Sequence, residues 1–413
     1  MKLVAQVKLV PDTEAAIFLD RTVTRINQAC EFVSHVAWDH RIFTNRKLRG
    51  LCYEDARTRF GLSAQVAQHA IKKVADAYKS DYARTKRRVK IAVRPDGAVT
   101  YDDRILSWKI DQHTDSIWTT GGRKTIPFVA GERSMKLLSN RKGECDLVRK
   151  DGMVFLLATC DVEEPEPLAP SSVIGVDRGI VNLATCSNGA NYTGAAVNAV
   201  RVRNERLRQR LQAKNTQSAR RLLKKRHRKE TRFVTDTNHK ISYRIVREAE
   251  RTGAGIAMED LHRIRDRIRA RRPQRRKMHT WSFHQLLQFV AYKAMLSGVP
   301  LVLVDPRNTS RRCPMCHYTS KRNRPTRDLF RCQCCGLAGP ADLIAAVNIA
   351  FLGSCDLGRG EVTRPDAGAQ VSPARPVHGS RRSIATATPH VPRDTAGSRP
   401  RDPHTVLPAS SAL

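Results

Sequence analysis

The sequence predicts a multidomain α+β protein: an N-terminal β-barrel with an inserted helical bundle, then a mixed α/β domain with an inserted cysteine ribbon, and a disordered C-terminal tail. Three observations predict it. Apolar residues change from helical spacing to strand alternation near residue 88, and change again after the proline-rich stretch EEPEPLAP at 163–170. Five of the eleven cysteines crowd between Cys313 and Cys335. The last 61 residues, from Gly353 onward, hold 8 of the 20 prolines and no apolar periodicity, which predicts a tail unable to bury a core.

The elements follow in order. Residues 3–9 alternate like a single strand. Residues 13–85 read as a helical bundle, with Ile26, Ala29, Phe32, Val33 and Val36 on one face and Val66, Ala67, Ala70, Ile71, Val74 and Tyr78 on another. From residue 86 to 170 the pattern is antiparallel β, because KIAVRPDGAVTY and LVRKDGMVFLLATC each carry an Asp-Gly turn between β-forming runs. This part is expected to take residues 1–12 as an extra strand and close into a barrel. After the proline-rich boundary, an apolar strand at 173–181 is broken by Asp177 and Arg178, and NLATCSNGANYTG is a short hairpin turning at Asn188-Gly189. Long helices over 198–252, the strand GAGIAMED, a helix over 281–297, the strand PLVLVD and a helix over 341–352 complete a mixed sheet flanked by helices, at 171–309 and 338–352. Residues 310–337 are the insertion.

Charge narrows the function. Seventy-four Lys+Arg against 39 Asp+Glu leave a net +35, of which the tail carries only +3. So large a self-repelling excess argues for a polyanionic partner and against a metabolic enzyme of small neutral substrates. Nucleic acid is the expected partner. Two runs concentrate the excess: residues 201–232 hold 14 Lys/Arg against Glu205 and Glu230, and residues 263–277 hold 9 against Asp266 alone. A solvated helix interleaves both signs, whereas these runs lack acidic partners, so phosphate contact is the better reading. No membrane-spanning segment is expected, and Lys8 and Pro11 interrupt any signal-peptide core. An odd cysteine count spread thinly outside the cluster argues for reduced cytosolic thiols rather than a disulfide framework.

Cys313-Pro-Met-Cys316 and Cys332-Gln-Cys-Cys335 form two C-x2-C pairs separated by 15 residues, the spacing of a tetrahedral structural zinc site. Cys334 lies inside the second turn and is not expected to be a ligand. The basic side chains around the pairs, Arg311, Arg312, Lys321, Arg322, Arg324 and Arg327, are expected to face nucleic acid. Three carboxylates complete the candidates. Asp177 sits mid-strand in VIGVDRGIV, where an unpaired charge is costly to bury. Glu259 ends GAGIAMED, and Asp342 opens ADLIAAVNIAF. Each has a plain alternative: Asp177 as a turn residue, Glu259 or Asp260 as a cap, Asp342 as an acid favoured by the helix dipole. Together they are placed to converge at one edge of the sheet and hold two Mg2+ ions.

At these residues the chain resembles the TnpB (OrfB) family of transposon-encoded RNA-guided nucleases, relatives of the miniature type V CRISPR effectors. The likeness rests on GVDRGI, NHKISYRIV, AMEDL and the stretch from VDPRNTSRRCPMC through FRCQCCG to ADLIAAVNIAF, and covers residues 171–352. It implies a split RNase H-like (RuvC) nuclease domain with Asp177, Glu259 and Asp342 as the catalytic, magnesium-binding acids. It implies Cys313, Cys316, Cys332 and Cys335 as zinc ligands. By the same resemblance, residues 13–85 are recognition helices, and the barrel of 1–12 and 86–170 is a wedge domain that holds guide RNA and reads a short motif flanking a double-stranded DNA target. A monomer in a prokaryotic cytoplasm, associated with the nucleoid, is implied as well. Two positions depart from the family pattern: Arg178 follows the first acid, and Ile344 stands where an Asn is common. Rival readings are a CRISPR-locus effector, an RNA-guided repressor that does not cut, and a transposase that joins DNA ends or a plain zinc-ribbon DNA-binding protein.

Overall fold

The computed structural model describes residues 1–262, 283–360 and 362. Strand β1 (Lys2–Leu9) buries Leu3, Ala5, Val7 and Leu9 alternately and lies near the middle of a seven-stranded antiparallel sheet. The chain then leaves the sheet for three helices, α1 (Thr13–Asp39), α2 (Asn45–Phe60) and α3 (Ala64–Thr85). Asp12 starts α1 by accepting the Ala15 N–H at 2.7 Å. The helical rows read from sequence pack together, with Ile26, Ala29 and Val33 of α1 buried alongside Val66, Ala70, Ile71 and Val74 of α3.

The chain returns through β2 (Val99–Tyr101), β3 (Leu106–Lys109), β4 (Thr114–Thr119), β5 (Gly122–Val129), α4 (Glu132–Leu138), β6 (Arg141–Lys150) and β7 (Met153–Asp161). The order β2-β6-β7-β1-β5-β4-β3 curls into a nearly closed sheet that shares one core with the helices. The Asp151-Gly152 turn joins β6 to β7 with both residues at positive φ (57° and 78°), as a two-residue hairpin requires.

The other Asp-Gly stretch departs from expectation. KIAVRPDGAVTY forms no hairpin; only Val99–Tyr101 joins the sheet. Residues 90–93 lie along the helices instead, because side chains there satisfy the backbone groups that a ladder would have used. Ser34 Oγ donates to the Ile91 carbonyl at 2.6 Å, Tyr78 Oη accepts the Ile91 N–H at 3.3 Å, and Glu31 accepts the Val93 N–H at 2.7 Å.

The second half contains β8 (Ser172–Asp177), β9 (Asn182–Cys186), β10 (Asn191–Thr193), α5 (Ala195–Lys214), α6 (Gln217–Thr252), β11 (Ala254–Glu259), α7 (Phe283–Leu296) and β12 (Leu301–Val304). The ribbon hairpin of β13 (Leu329–Arg331) and β14 (Ala338–Pro340) precedes α8 (Ala341–Gly358). Sheet order is β10-β9-β8-β11-β12, with β8, β11 and β12 parallel and the β9–β10 hairpin antiparallel at one edge. Both faces of the parallel strands are covered. Ile174, Val176, Ile256 and Met258 pack under α6 and α7, while Val173, Ala257, Val302 and Val304 pack under α8. Continuous apolar runs such as GIAM follow from that double burial.

Two expectations need revision or fall outside the described residues. The tail does not begin at Gly353: α8 continues to Gly358, and Gly353 lies so close to the sheet that a Cβ there would overlap Ala257. The apolar face of α8 outlasts the pattern read from sequence, with Leu357 still packed on the sheet. By length and composition α8 could also cross a membrane, yet its buried face lies on β8, β11 and β12. Residue 361 and residues 363–413, like the basic run of 263–277, lie outside the described residues.

A buried acid in the barrel has no hydrogen-bond partner among the described residues. Asp115 on β4 is fully buried, and neither carboxylate oxygen accepts a hydrogen bond among the described residues. Burial pushes its carboxyl up to about 7. Because the folded value lies above the unfolded one, the folded chain binds the extra proton between about pH 4 and 7, and stability falls as pH rises through that window. The loss is on the order of 4 kcal/mol at most. Asp115→Asn, which cannot ionise, should melt several degrees above the parent at pH 8 and close to it at pH 4. Parallel thermal melts at the two pH values check this; an equal shift at both would show that ionisation is not the cause.

Candidate functional site

Asp177 ends β8 and Glu259 ends β11. These strands run parallel with Val176 opposite Met258, so the two carboxylates leave the sheet as neighbours at its C-terminal edge. Asp342 reaches the same edge from the first turn of α8. Its approach depends on Gly175, where a Cβ would overlap the Ala346 carbonyl and the Ala350 backbone. The structure thus brings together the three acids singled out in the sequence.

Their electrostatics records the convergence. Burial, then the charges of Glu259 and Asp342, push the Asp177 carboxyl up to about 7, against the opposing pull of Arg324 and Arg178. Burial also raises Glu259, opposed by a 2.6 Å hydrogen bond from Thr309 Oγ1 and by the Arg178 charge. On Asp342, Asn182 Nδ2 donates to one oxygen at 3.0 Å and Arg324 to the other at 3.0 Å, with Arg327 at 3.7 Å. Arg324 and Arg327, expected from the sequence to face nucleic acid, therefore turn toward an acid of the chain itself.

The two departures from the family pattern have structural roles. Arg178 is only 4% exposed and donates to the backbone carbonyls of Glu259 and Phe283, the latter at 3.0 Å. It ties the ends of β8 and β11 to the start of α7. Burial lowers its guanidinium to about 10, while Glu259, Asp177 and Asp260 hold it up. Ile344 fills the ribbon core beside Cys313, Phe330, Cys332 and Ala341. An amide on Asp342 comes instead from Asn182.

Asn182, Thr309 and Asn348 were not singled out in the sequence. Asn348 Nδ2 donates to the carbonyls of Thr309 (2.7 Å) and Arg312 (2.8 Å), which anchors the loop that carries Thr309 to Glu259. A buried Asn inside the apolar run ADLIAAVNIAF was the available signal.

In the ribbon, one ligand atom from each of Cys313, Cys316, Cys332 and Cys335 lies within 4.8 Å of every other, an arrangement that could hold a metal ion. The Cys313–Cys335 and Cys316–Cys332 sulfur pairs are each 3.5 Å apart. Burial opposes ionisation of Cys332, yet backbone N–H groups of Cys335 and Cys334 aimed at its sulfur bring the thiol down to about 6. Cys334 is outside the cluster and exposed.

These residues lie within known sequence families. Residues 158–265 match the OrfB_IS605 family, described as "Probable transposase", and residues 283–349 match the Cas12f1-like TNB domain. The chain is similar to the TnpB (OrfB) proteins and their Cas12f relatives. A CRISPR-associated endodeoxyribonuclease Cas12f1 of Sulfoacidibacillus thermotolerans is 38% identical over 120 residues, which is 29% of this chain and 27% of that protein. A TnpB-like protein of Methanocaldococcus jannaschii is 35% identical over 138 residues, 33% of this chain and 49% of that one. The chain thus spans about a quarter to just over half of the curated relatives it matches. The fold extends the likeness: a Cas12f1 solved with sgRNA and target DNA superposes with a TM-score of 0.57 at 15% identity, over 83% of each chain.

The ribbon predicts a metal-dependent fold. Thiolate coordination is coupled to folding in such sites, so Cys332→Ser should lose bound zinc and lower the melting temperature, whereas Cys334→Ser should keep both. Elemental analysis of the purified proteins beside thermal melts checks it; a full equivalent of zinc on Cys332→Ser would remove that residue from the ligand set.

Proposed function

We propose that this chain is a transposon-associated, RNA-guided DNA endonuclease of RuvC type, with Asp177, Glu259 and Asp342 as its catalytic acids. The observation that carries the reading is the convergence of three carboxylates from β8, β11 and α8 at one sheet edge, inside segments of OrfB and Cas12f type. The names of the relatives support the activity: one is an endodeoxyribonuclease, and the superposed Cas12f1 was solved with a guide and a DNA target.

The donor set suits Mg2+, which takes oxygen ligands, and Asp177 bears a repulsion that a cation would relieve. Two bound Mg2+ would activate water and stabilise the leaving oxygen of the scissile phosphate. The chain's own residues prepare that edge. Arg178 holds the Glu259 backbone, Thr309 fixes one Glu259 oxygen, and Asn182 orients Asp342. Cys313, Cys316, Cys332 and Cys335 would hold one structural Zn2+, keeping the ribbon beside Asp342. Grip on nucleic acid is assigned to basic surfaces, above all the α5–α6 hairpin: 14 Lys/Arg lie within 201–232, where Arg208 pairs with Glu230 and Arg228 with Asp151 of the barrel. Sequence choice would reside in base pairing between guide and target, beside a short flanking DNA motif read by the N-terminal half.

Binding and cutting should separate. Asp177→Ala, Glu259→Ala and Asp342→Ala should each lower guide-dependent cleavage by roughly 100-fold or more, while target binding and its steep salt dependence match the parent. Cleavage and filter binding are measured together, with and without the RNA that copurifies. Cutting by RNA-free protein, or full cutting by any of the three variants, would overturn the reading.

A further inference from the structure

The end of the helical bundle farthest along α1 from the barrel carries a surface that none of the preceding chemistry uses. Three aromatic side chains meet there: Trp38 at the end of α1, Phe43 in the following loop and Tyr82 at the end of α3. Each ring is paired with a guanidinium. Arg41 lies 4.1 Å from the Trp38 ring centre, and Arg88 lies 4.3 Å from Phe43 and 4.8 Å from Tyr82. Phe43 in turn leans on Tyr78 (4.7 Å) and meets Trp38 edge-on (6.5 Å).

Cations outnumber the acids Asp39 and Asp81 here. Residues 84–90 read RTKRRVK, five cations and no acid. Arg84 pairs with Asp81, but among the described residues no carboxylate pairs with Arg41, Lys86, Arg87, Arg88 or Lys90. The arrangement is also held in place. Ser34, Tyr78 and Glu31 fix the backbone at Ile91 and Val93, so Arg88 emerges from a tethered segment. Tyr82 remains 45% exposed.

Arg88 touches both the Phe43 and Tyr82 rings, whereas Arg41 is exposed and meets the Trp38 ring, and Tyr82 is itself exposed, which leaves a flat face open to solvent. A base can stack on that face while neighbouring cations meet its phosphates, which is how proteins hold unpaired nucleotides. A duplex hides its base faces and offers only phosphates, so it would use the charges and leave the planar groups idle. We infer that Trp38, Arg41, Phe43, Tyr82 and Arg88 form a stacking site for single-stranded RNA, with Lys86, Arg87 and Lys90 as its phosphate contacts. The site rests on the reading of the chain as an RNA carrier and deepens it by assigning where unpaired nucleotides of that RNA are held.

The test uses the full chain freed of copurifying RNA and three probes of one sequence: a 12-nucleotide RNA, the same DNA strand, and the DNA duplex. Arg88→Ala and Arg88→Lys are compared with the parent, with thermal melts confirming the fold. Both variants should bind the single-stranded RNA roughly tenfold more weakly, since lysine keeps the charge but not the plane. Duplex affinity should change little. A loss shared by the RNA and DNA strands supports stacking on either sugar, and a loss confined to RNA supports it for RNA. Parent-like binding by Arg88→Lys, or an equal loss for duplex, would reduce the patch to a charged surface and overturn the proposal. Ultraviolet crosslinking of the copurified RNA to the unmodified chain gives a second measurement: adducts should map to residues 38–43 and 82–90, and adducts elsewhere alone would refute the site. If no RNA copurifies and no probe binds anywhere, the nuclease reading itself fails, which separates the two outcomes.

Discussion

The close seat of α8 on the parallel strands governs the second half of the molecule. Gly175 and Gly353 remove side chains where the helix backbone and the sheet touch, and Ala257, Ala346 and Ala350 keep the rest of the contact small. A bulkier residue at Gly175 would lift the helix by the width of a methyl group, and Asp342 would move away from Asp177 with it. The same helix anchors the ribbon: Ala341 and Ile344 lie in the ribbon core with Cys313 and Cys332, and Asn348 grips the loop of Thr309. One packing contact therefore sets the third acid, the ribbon and the Thr309 hydrogen bond to Glu259.

The cost of assembling three acids explains the surrounding cations. Buried carboxylates repel one another and lose hydration, so each needs compensation in place. Arg178 supplies it from within the sheet edge, and Arg324 and Arg327 from the ribbon. Asp177 is left least satisfied, and its raised carboxyl is the visible consequence. Asp115 in the barrel is the contrasting case: it is fully buried, no hydrogen bond reaches its carboxylate among the described residues, and burial alone raises its carboxyl.

The helical and barrel regions show a related economy. The segment after α3 was free to pair as a strand, yet Ser34, Tyr78 and Glu31 satisfy its backbone along the bundle. That choice leaves β2 only three residues long and carries Arg88 up to the aromatic cluster.

Much was legible in the sequence because it depends on local periodicity or fixed spacing. The amphipathic rows of α1 and α3, the Asp151-Gly152 hairpin, the buried strand runs and the two C-x2-C pairs are of this kind, each decided by residues close in the chain. The three acids could be named because their joint placement, at the ends of two strands and the start of an apolar helix, and the family resemblance together outweigh the plain alternative that each has alone. Tertiary structure alone decided the rest. The tethering of residues 90–93 along the bundle, the continuation of α8 past Gly353, the turn of Arg324 toward Asp342 and the clamps of Asn182, Thr309 and Asn348 all join residues distant in sequence. Hydrogen-bonding capacity is written in each residue, but its partner is set only by which surfaces the packed core brings within 3 Å of one another.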